Sequence, residues 1–141
     1  MSLNPKIRDW RGKRVWLVGA SSGIGLALAK LLHGLGAQVL VSARRPGPLE
    51  EFAAAHPGSV ALPLDVTDRE GVARATAQAL AGGPLDLVCY CAGHYNAMRA
   101  TDIDLPDLLR HHEINTVGAL HLLHALTPAL LAQGHGRSEE R

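Results

Sequence analysis

Seven consecutive residues, Gly19-Ala20-Ser21-Ser22-Gly23-Ile24-Gly25, carry the clearest chemical signal in the sequence. Gly19 lets the chain turn sharply. Gly23 removes a side chain where a phosphate must approach the backbone, and Gly25 lets the helix that follows pack closely on the strand that precedes it. A helix opening here offers unpaired N–H groups and a positive dipole end to a pyrophosphate, and Ser21 and Ser22 add hydroxyl donors. Further along, Ala43-Arg44-Arg45 places a planar, permanently charged donor fork where no carboxylate stands to repel a phosphate. The histidines carry less: His112-Glu113-Ile114-Asn115-Thr116 lacks the second His of a zinc-protease motif, and His121 and His124 have no third ligand placed beside them. No metal site is expected.

These residues need elements to hold them. The apolar run Val15 to Val18 reads as a buried strand closed by Gly19. From Ile24, apolar residues at Ala27, Leu28, Leu31, Leu32 and Leu35 recur at helical spacing, which predicts one core-facing stripe, stopped by Gly34 and Gly36. Gln38 to Ser42 reads as a second strand and Leu49 to Ala55 as a short helix. Val60 to Leu64 reads as a third strand, at an edge because of Pro63. A helix capped by Thr67 or Asp68 runs to about Leu80, and Leu85 to Cys91 reads as a fourth strand. Pro106 opens a long helix to about Gln133, favoured by Asp104 and Asp107 at its positive end and bent at Gly118 and Pro128. The order βαβαβαβα predicts a parallel sheet covered on both faces, and right-handed crossovers give the strand order 3-2-1-4.

Composition narrows the classes. The chain has 141 residues, enough for one domain with one sizeable core, and no internal linker or repeat divides it. Aromatics make up 4%, so the core is built from Leu, Val and Ala. A formal net charge of +1, with no basic run interleaved with aromatics, argues against nucleic acid. The polar segment Met1 to Trp10 lacks the apolar heart of a signal peptide, and no run of about 20 uncharged apolar residues predicts a membrane span. Cys89 and Cys91, two apart in a strand, point to one face and read as a pair of buried thiols, as a reducing cytoplasm favours.

The spacing Gly19-x-x-x-Gly23-x-Gly25 resembles that of the short-chain dehydrogenase/reductase family. So, in order, do Asp65-Val66 after the third strand, Cys91-Ala92-Gly93 closing the fourth, and Asn115-x-x-Gly118 in the long helix. The resemblance runs from Lys13 to Gly136, with Cys89-Tyr90-Cys91 standing where the family has Asn residues. It implies a three-layer α/β Rossmann-type fold: a partial doubly wound parallel sheet of order 3-2-1-4 with the C-terminal strands missing. The cofactor site it implies is Gly19, Ser21, Ser22, Gly23, Ile24, Gly25, Arg44, Asp65, Val66, Ala92 and Gly93. Asp65 would contact the adenine, and Ala43 stands where the family's NAD-selecting Asp would be, so NADP is expected before NAD.

The implied activity is hydride transfer between a carbonyl and an alcohol on a small-molecule substrate. The family's proton chemistry uses a Ser, a Tyr and a Lys four residues after the Tyr. The only lysines here are Lys6, Lys13 and Lys30, and Tyr95 is followed at that spacing by Arg99, outside the family position. Of the catalytic set, only Asn115 has a counterpart. The ending Ser138-Glu139-Glu140-Arg141, in place of an apolar strand, reads as a truncated chain. Such a chain would bind cofactor without reducing carbonyls, or serve as an inactive nucleotide-binding or interaction module, or be a fragment without function. An open edge on the fourth strand and a long helix apolar nearly all round predict a self-associating, homo-oligomeric or aggregation-prone protein.

Overall fold

Residues 6–140 are described in a computed structural model. Strand β1 (Arg14–Val18) is followed by α1 (Gly23–Gly34), β2 (Gln38–Ser42), α2 (Pro46–Ala55), β3 (Val60–Ala61), α3 (Arg69–Ala81) and β4 (Leu87–Tyr90). Then come α4 (Leu105–His112), a π-helical turn (Glu113–Val117), α5 (Gly118–Gln133) and β5 (Ser138–Glu140). The strands of the sheet pair in parallel, in the order β3-β2-β1-β4-β5.

Strand periodicity explains the three layers. Side chains along a strand alternate between faces, so Val15, Leu17, Val39, Val41, Leu87 and Cys89 meet α1 and α2. Trp16, Val18, Leu40, Val88 and Tyr90 meet α3 and α5. Because both faces are covered, β1 and β4 read as unbroken apolar runs. Ser42 is a wholly buried polar side chain within this arrangement: it accepts a 2.8 Å hydrogen bond from the indole Nε1 of Trp16, which would otherwise be unsatisfied. Arg14 ties the lower end of the sheet together. Its guanidinium donates to the Ala79 carbonyl at 3.0 Å, in the last turn of α3, and to the Gly83 carbonyl beyond it, satisfying carbonyls a helix end leaves unpaired.

Four readings change. The fourth strand is not an open edge. β5 pairs with it, Val88 beside Ser138 and Tyr90 beside Glu140, because ladder bonds come from the backbone whatever the side chains are. The expected order 3-2-1-4 is present and carries this further strand. The apolar stripe of α1 does not all face the core: Ile24, Leu31 and Leu35 are exposed, while Gly25, Ala29 and Leu32 are buried. Small residues win that face because they let helix and sheet approach; a Cβ on Gly25 would lie 2.2 Å from the Gly19 carbonyl oxygen. β3 is shorter than expected, although Leu62 and Leu64 still donate to the carbonyls of Val41 and Ala43 at 2.9 Å. It is an edge strand, as Pro63 requires.

The fourth change concerns the long helix, which the π-helical turn Glu113–Val117 interrupts just before Gly118. From Leu105 to Gln133 it is 29 residues long, and by length and composition it could cross a membrane. Its inner stripe, Ile114, Leu122 and Leu126, is buried on the sheet, which is the packing of a core helix. Its outer surface is another matter. Only 22% of the most apolar window is buried, and Leu105, Leu108, Leu109, Leu120 and Leu131 all stand exposed.

Candidate functional site

The sheet splits where β1 ends, since β2 and β4 lie on its two sides and their connections cross opposite faces. A crevice at such a point, beyond the carboxyl ends of the strands, is where open parallel sheets bind ligands. Here it is a cavity of about 460 Å³. The residues expected to hold a cofactor converge on it from four segments: Gly19, Ser21, Ser22, Gly23 and Ile24 from the β1–α1 turn, Arg44 after β2, Asp65 and Val66 after β3, and Ala92 and Gly93 after β4. Gly25 is buried beneath it, holding α1 to the turn.

The turn is built to expose its backbone. Gly19 (φ 92°) and Gly23 (φ 57°) both adopt left-handed conformations, and the Gly19 and Ala20 N–H groups hook onto the Ser42 carbonyl at 2.7 and 3.0 Å. A Cβ on Gly19 would fall 2.3 Å from the Ala92 nitrogen, so this glycine lets the ends of β1 and β4 touch. At Gly23 a Cβ would meet nothing within 4 Å, so that position faces open space. Ser22 takes the N-cap of α1 without a side-chain bond, so its hydroxyl is not spent on capping, and the residue lines the crevice.

Arg44 is exposed where it borders the crevice, and its charge is felt by Asp65. Burial pushes the Asp65 carboxyl up. The Thr67 N–H (3.0 Å) and hydroxyl (2.8 Å), with the charges of Arg44 and Arg110, outweigh it and hold the group below the usual carboxylate range. One Asp65 oxygen is therefore committed to its own turn.

Asn115 does not line the cavity. It sits in the π-helical turn, and its side chain clasps the backbone of His94, accepting the N–H at 2.7 Å and donating to the carbonyl at 2.9 Å. Its amide thus fixes the segment leaving Gly93. The turn itself has a local cause: Gly118 N–H reaches back to Glu113, five residues away, freeing the Ile114 carbonyl to accept the Tyr90 hydroxyl. Gly118 permits this, because a Cβ there would lie 2.5 Å from that hydroxyl.

Tyr90 thus sets a buried phenol against this turn. Burial first, then the nearby Asp65 charge, pushes its pKa from 10.0 up to about 12. Folding therefore favours the neutral phenol. Its stabilisation is complete below pH 10 and disappears as pH rises through 12. Urea melts across this range are expected to show that loss. Tyr90→Phe should remove the alkaline component and cost about 1–3 kcal/mol at neutral pH, by leaving the Ile114 carbonyl unpaired. A variant as stable as the parent would show that this hydrogen bond does not hold the turn.

Several residues at the site escaped the sequence. His94 and Ile114 also line the cavity, and neither belongs to a spacing pattern that singles it out. His121 is half-buried and bonds the Val66 carbonyl at 3.0 Å, bracing one wall of the crevice. Cys89 is buried and Cys91 half-buried, both on the α1 face, as their spacing requires.

A glycine turn that opens a helix at the carboxyl end of the central parallel strand defines a Rossmann-type nucleotide-binding domain. The family model for short chain dehydrogenases matches residues 13–137, and the chain belongs to the short-chain dehydrogenase/reductase family. It is 37% identical over 134 residues to the glycine betaine reductase ATRR of Emericella nidulans, covering 89% of this chain and 10% of that protein. An uncharacterized oxidoreductase of Staphylococcus aureus is 35% identical over 124 residues, 85% of this chain and 53% of its own length. The crystal structure of a short-chain dehydrogenase from Streptomyces avermitilis superposes with a TM-score of 0.85 at 31% identity, over 92% of this chain and 48% of that one. The chain thus spans about half of the last two and a tenth of the first.

Proposed function

We propose that this chain forms the dinucleotide-binding half of an NADP-dependent oxidoreductase that interconverts a carbonyl and an alcohol by hydride transfer. The observation that carries the cofactor choice is the end of β2. Arg44 stands exposed at the crevice mouth with Ala43 beside it, and both line the same cavity as the glycine turn. The residues suit a dinucleotide: Gly23 opens onto space, Ser22 leaves its hydroxyl unspent on capping, and the α1 dipole presents its positive end.

In this reading the N–H groups of the turn and the Ser21 and Ser22 hydroxyls bind the pyrophosphate, and Arg44 binds the 2′-phosphate. Asp65 and Val66 border the adenine, and Ala92 and Gly93 allow close approach of the sugar nearer the reacting ring. When bound, the nicotinamide supplies the hydride. Asn115 is a positioning residue, since its amide holds His94 and through it the Gly93 segment. Titration of the chain with NADPH and NADH, followed by cofactor fluorescence, tests the reading. NADPH is expected to bind more tightly; equal affinities would sink the assignment of NADP.

The exposed leucines of α4 and α5 support a second copy as their cover, and we place the protein in a reducing compartment such as the cytoplasm. Light scattering after size exclusion, over a range of concentrations, is expected to show mass rising above one chain. A stable monomer at high concentration would leave that helix face without the proposed partner.

A further inference from the structure

The loop leaving β4 and the first turns of α4 bring together three side chains that the cofactor reading does not use. Asp107 and His111 lie one turn apart on α4, and His94 reaches them from the loop. The His94 Nε2 donates to Asp107 Oδ1 at 2.8 Å, and His111 Nδ1 lies 3.5 Å from Asp107 Oδ2. The two rings are 4.6 Å apart, centroid to centroid. One donor atom from each residue falls within 4.8 Å of the others. Asp107 Oδ2 is buried and accepts no hydrogen bond, a cost that buried carboxylate oxygens do not ordinarily bear.

We propose that His94, Asp107 and His111 form a three-ligand site for zinc(II) beside the nucleotide crevice, with His94 standing at the border of the two. Two imidazoles and a carboxylate are a borderline donor set that suits zinc better than magnesium or calcium, and three protein ligands leave a fourth position for water. The surroundings supply a brace, because Asn115 fixes His94 through its backbone. All three side chains are partly exposed, so the ion has a way in.

The protons balance without a net release. His94 carries its proton on Nε2, toward Asp107. His111 carries its own on Nδ1, toward the Asp107 carbonyl at 2.7 Å, because its Nε2 accepts the Asn96 N–H at 2.8 Å. Ligation through His94 Nε2 and His111 Nδ1 moves each proton to the other nitrogen of its ring. The Asn96 N–H then loses its acceptor, and the exposed loop at Asn96 must turn that group to water.

Titrating the full chain with zinc(II) alone, by calorimetry and by thermal melting, tests the site. One equivalent is expected to bind and to raise Tm, with magnesium giving neither. Asp107→Asn keeps the shape and a hydrogen-bond acceptor for His94, yet should weaken zinc by about 100-fold, the upper end of the loss caused even by outer-shell changes. His94→Gln should act alike, while the double variant His33→Ala, His56→Ala, at the other close histidine pair, should bind as the parent does. Each variant's metal-free circular dichroism and Tm separate lost ligation from lost folding. The idea is overturned by absence of binding, by affinity unchanged in Asp107→Asn and His94→Gln, or by a cobalt(II) spectrum with thiolate charge transfer, which would put the ion on Cys89 or Cys91. None of these readouts requires a bound nucleotide, so they stand apart from the cofactor titration.

Discussion

Replacing Arg44 by Ala is expected to reduce NADPH affinity by roughly 10- to 150-fold while leaving NADH nearly unchanged. A charge-assisted hydrogen bond contributes about 1.5–3 kcal/mol, and each 1.4 kcal/mol is about tenfold. Arg44 is exposed, so salt screens it, and the preference should shrink as ionic strength rises. Arg44→Lys should keep part of the effect, because an ammonium retains the charge but not the planar fork. Ala43→Asp should turn the preference toward NADH by setting a carboxylate where the 2′-phosphate would lie. Paired titrations of the four proteins give the answer. If NADPH and NADH fall together in Arg44→Ala, the arginine serves the pyrophosphate or the fold and not the 2′-phosphate.

The largest loss of stability is expected at Gly19→Ala. The new Cβ would lie 2.3 Å from the Ala92 nitrogen and 2.5 Å from its Cα, both backbone atoms at the end of the strand that pairs with β1. Neither can move without parting β1 from β4. The backbone there is also left-handed, φ 92°, which by itself costs a residue with a side chain about 1–3 kcal/mol. Together these should cost about 4 kcal/mol or more, in the range that single substitutions reach only through a severe local conflict. Gly23→Ala separates the two contributions, since φ is 57° but nothing lies within 4 Å of its Cβ. It should lose only about 1–2 kcal/mol. Urea melts of the two variants decide it; equal losses would mean that close approach to Ala92 is not what Gly19 provides.

Both expectations concern segments whose purpose was legible before any fold was known. The glycine turn could be read because its three requirements are local: a sharp turn, an open approach and a close helix. Each restricts a single position. The strands could be read because burial on both faces makes β1, β2 and β4 apolar in unbroken runs, and alternation then assigns Trp16 and Leu17 to opposite layers. Helical periodicity also found α1, but it could not choose among the apolar stripes on its surface. The stripe with the larger side chains lost to Gly25 and Ala29, since contact with the sheet rewards closeness as well as hydrophobicity.

What the sequence determined by itself is therefore the parallel α/β order, the glycine turn, and the absence of a carboxylate at Ala43 with a cation at Arg44. Tertiary structure alone decided the rest. Ser138–Glu140 pairs with β4 through backbone groups that no hydrophobic pattern reports. Tyr90 reaches Ile114 across 24 residues and takes the carbonyl that the π-helical turn frees. His94 meets Asp107 and His111 only because β4 ends beside the start of α4, bringing together a loop histidine and a helical pair that are 13 residues apart along the chain. Asp107 and His111 do stand at the spacing that puts two ligands on one helix face, but that spacing is common. The third partner comes from the fold, because distance along the chain fixes no distance in space until the sheet has closed.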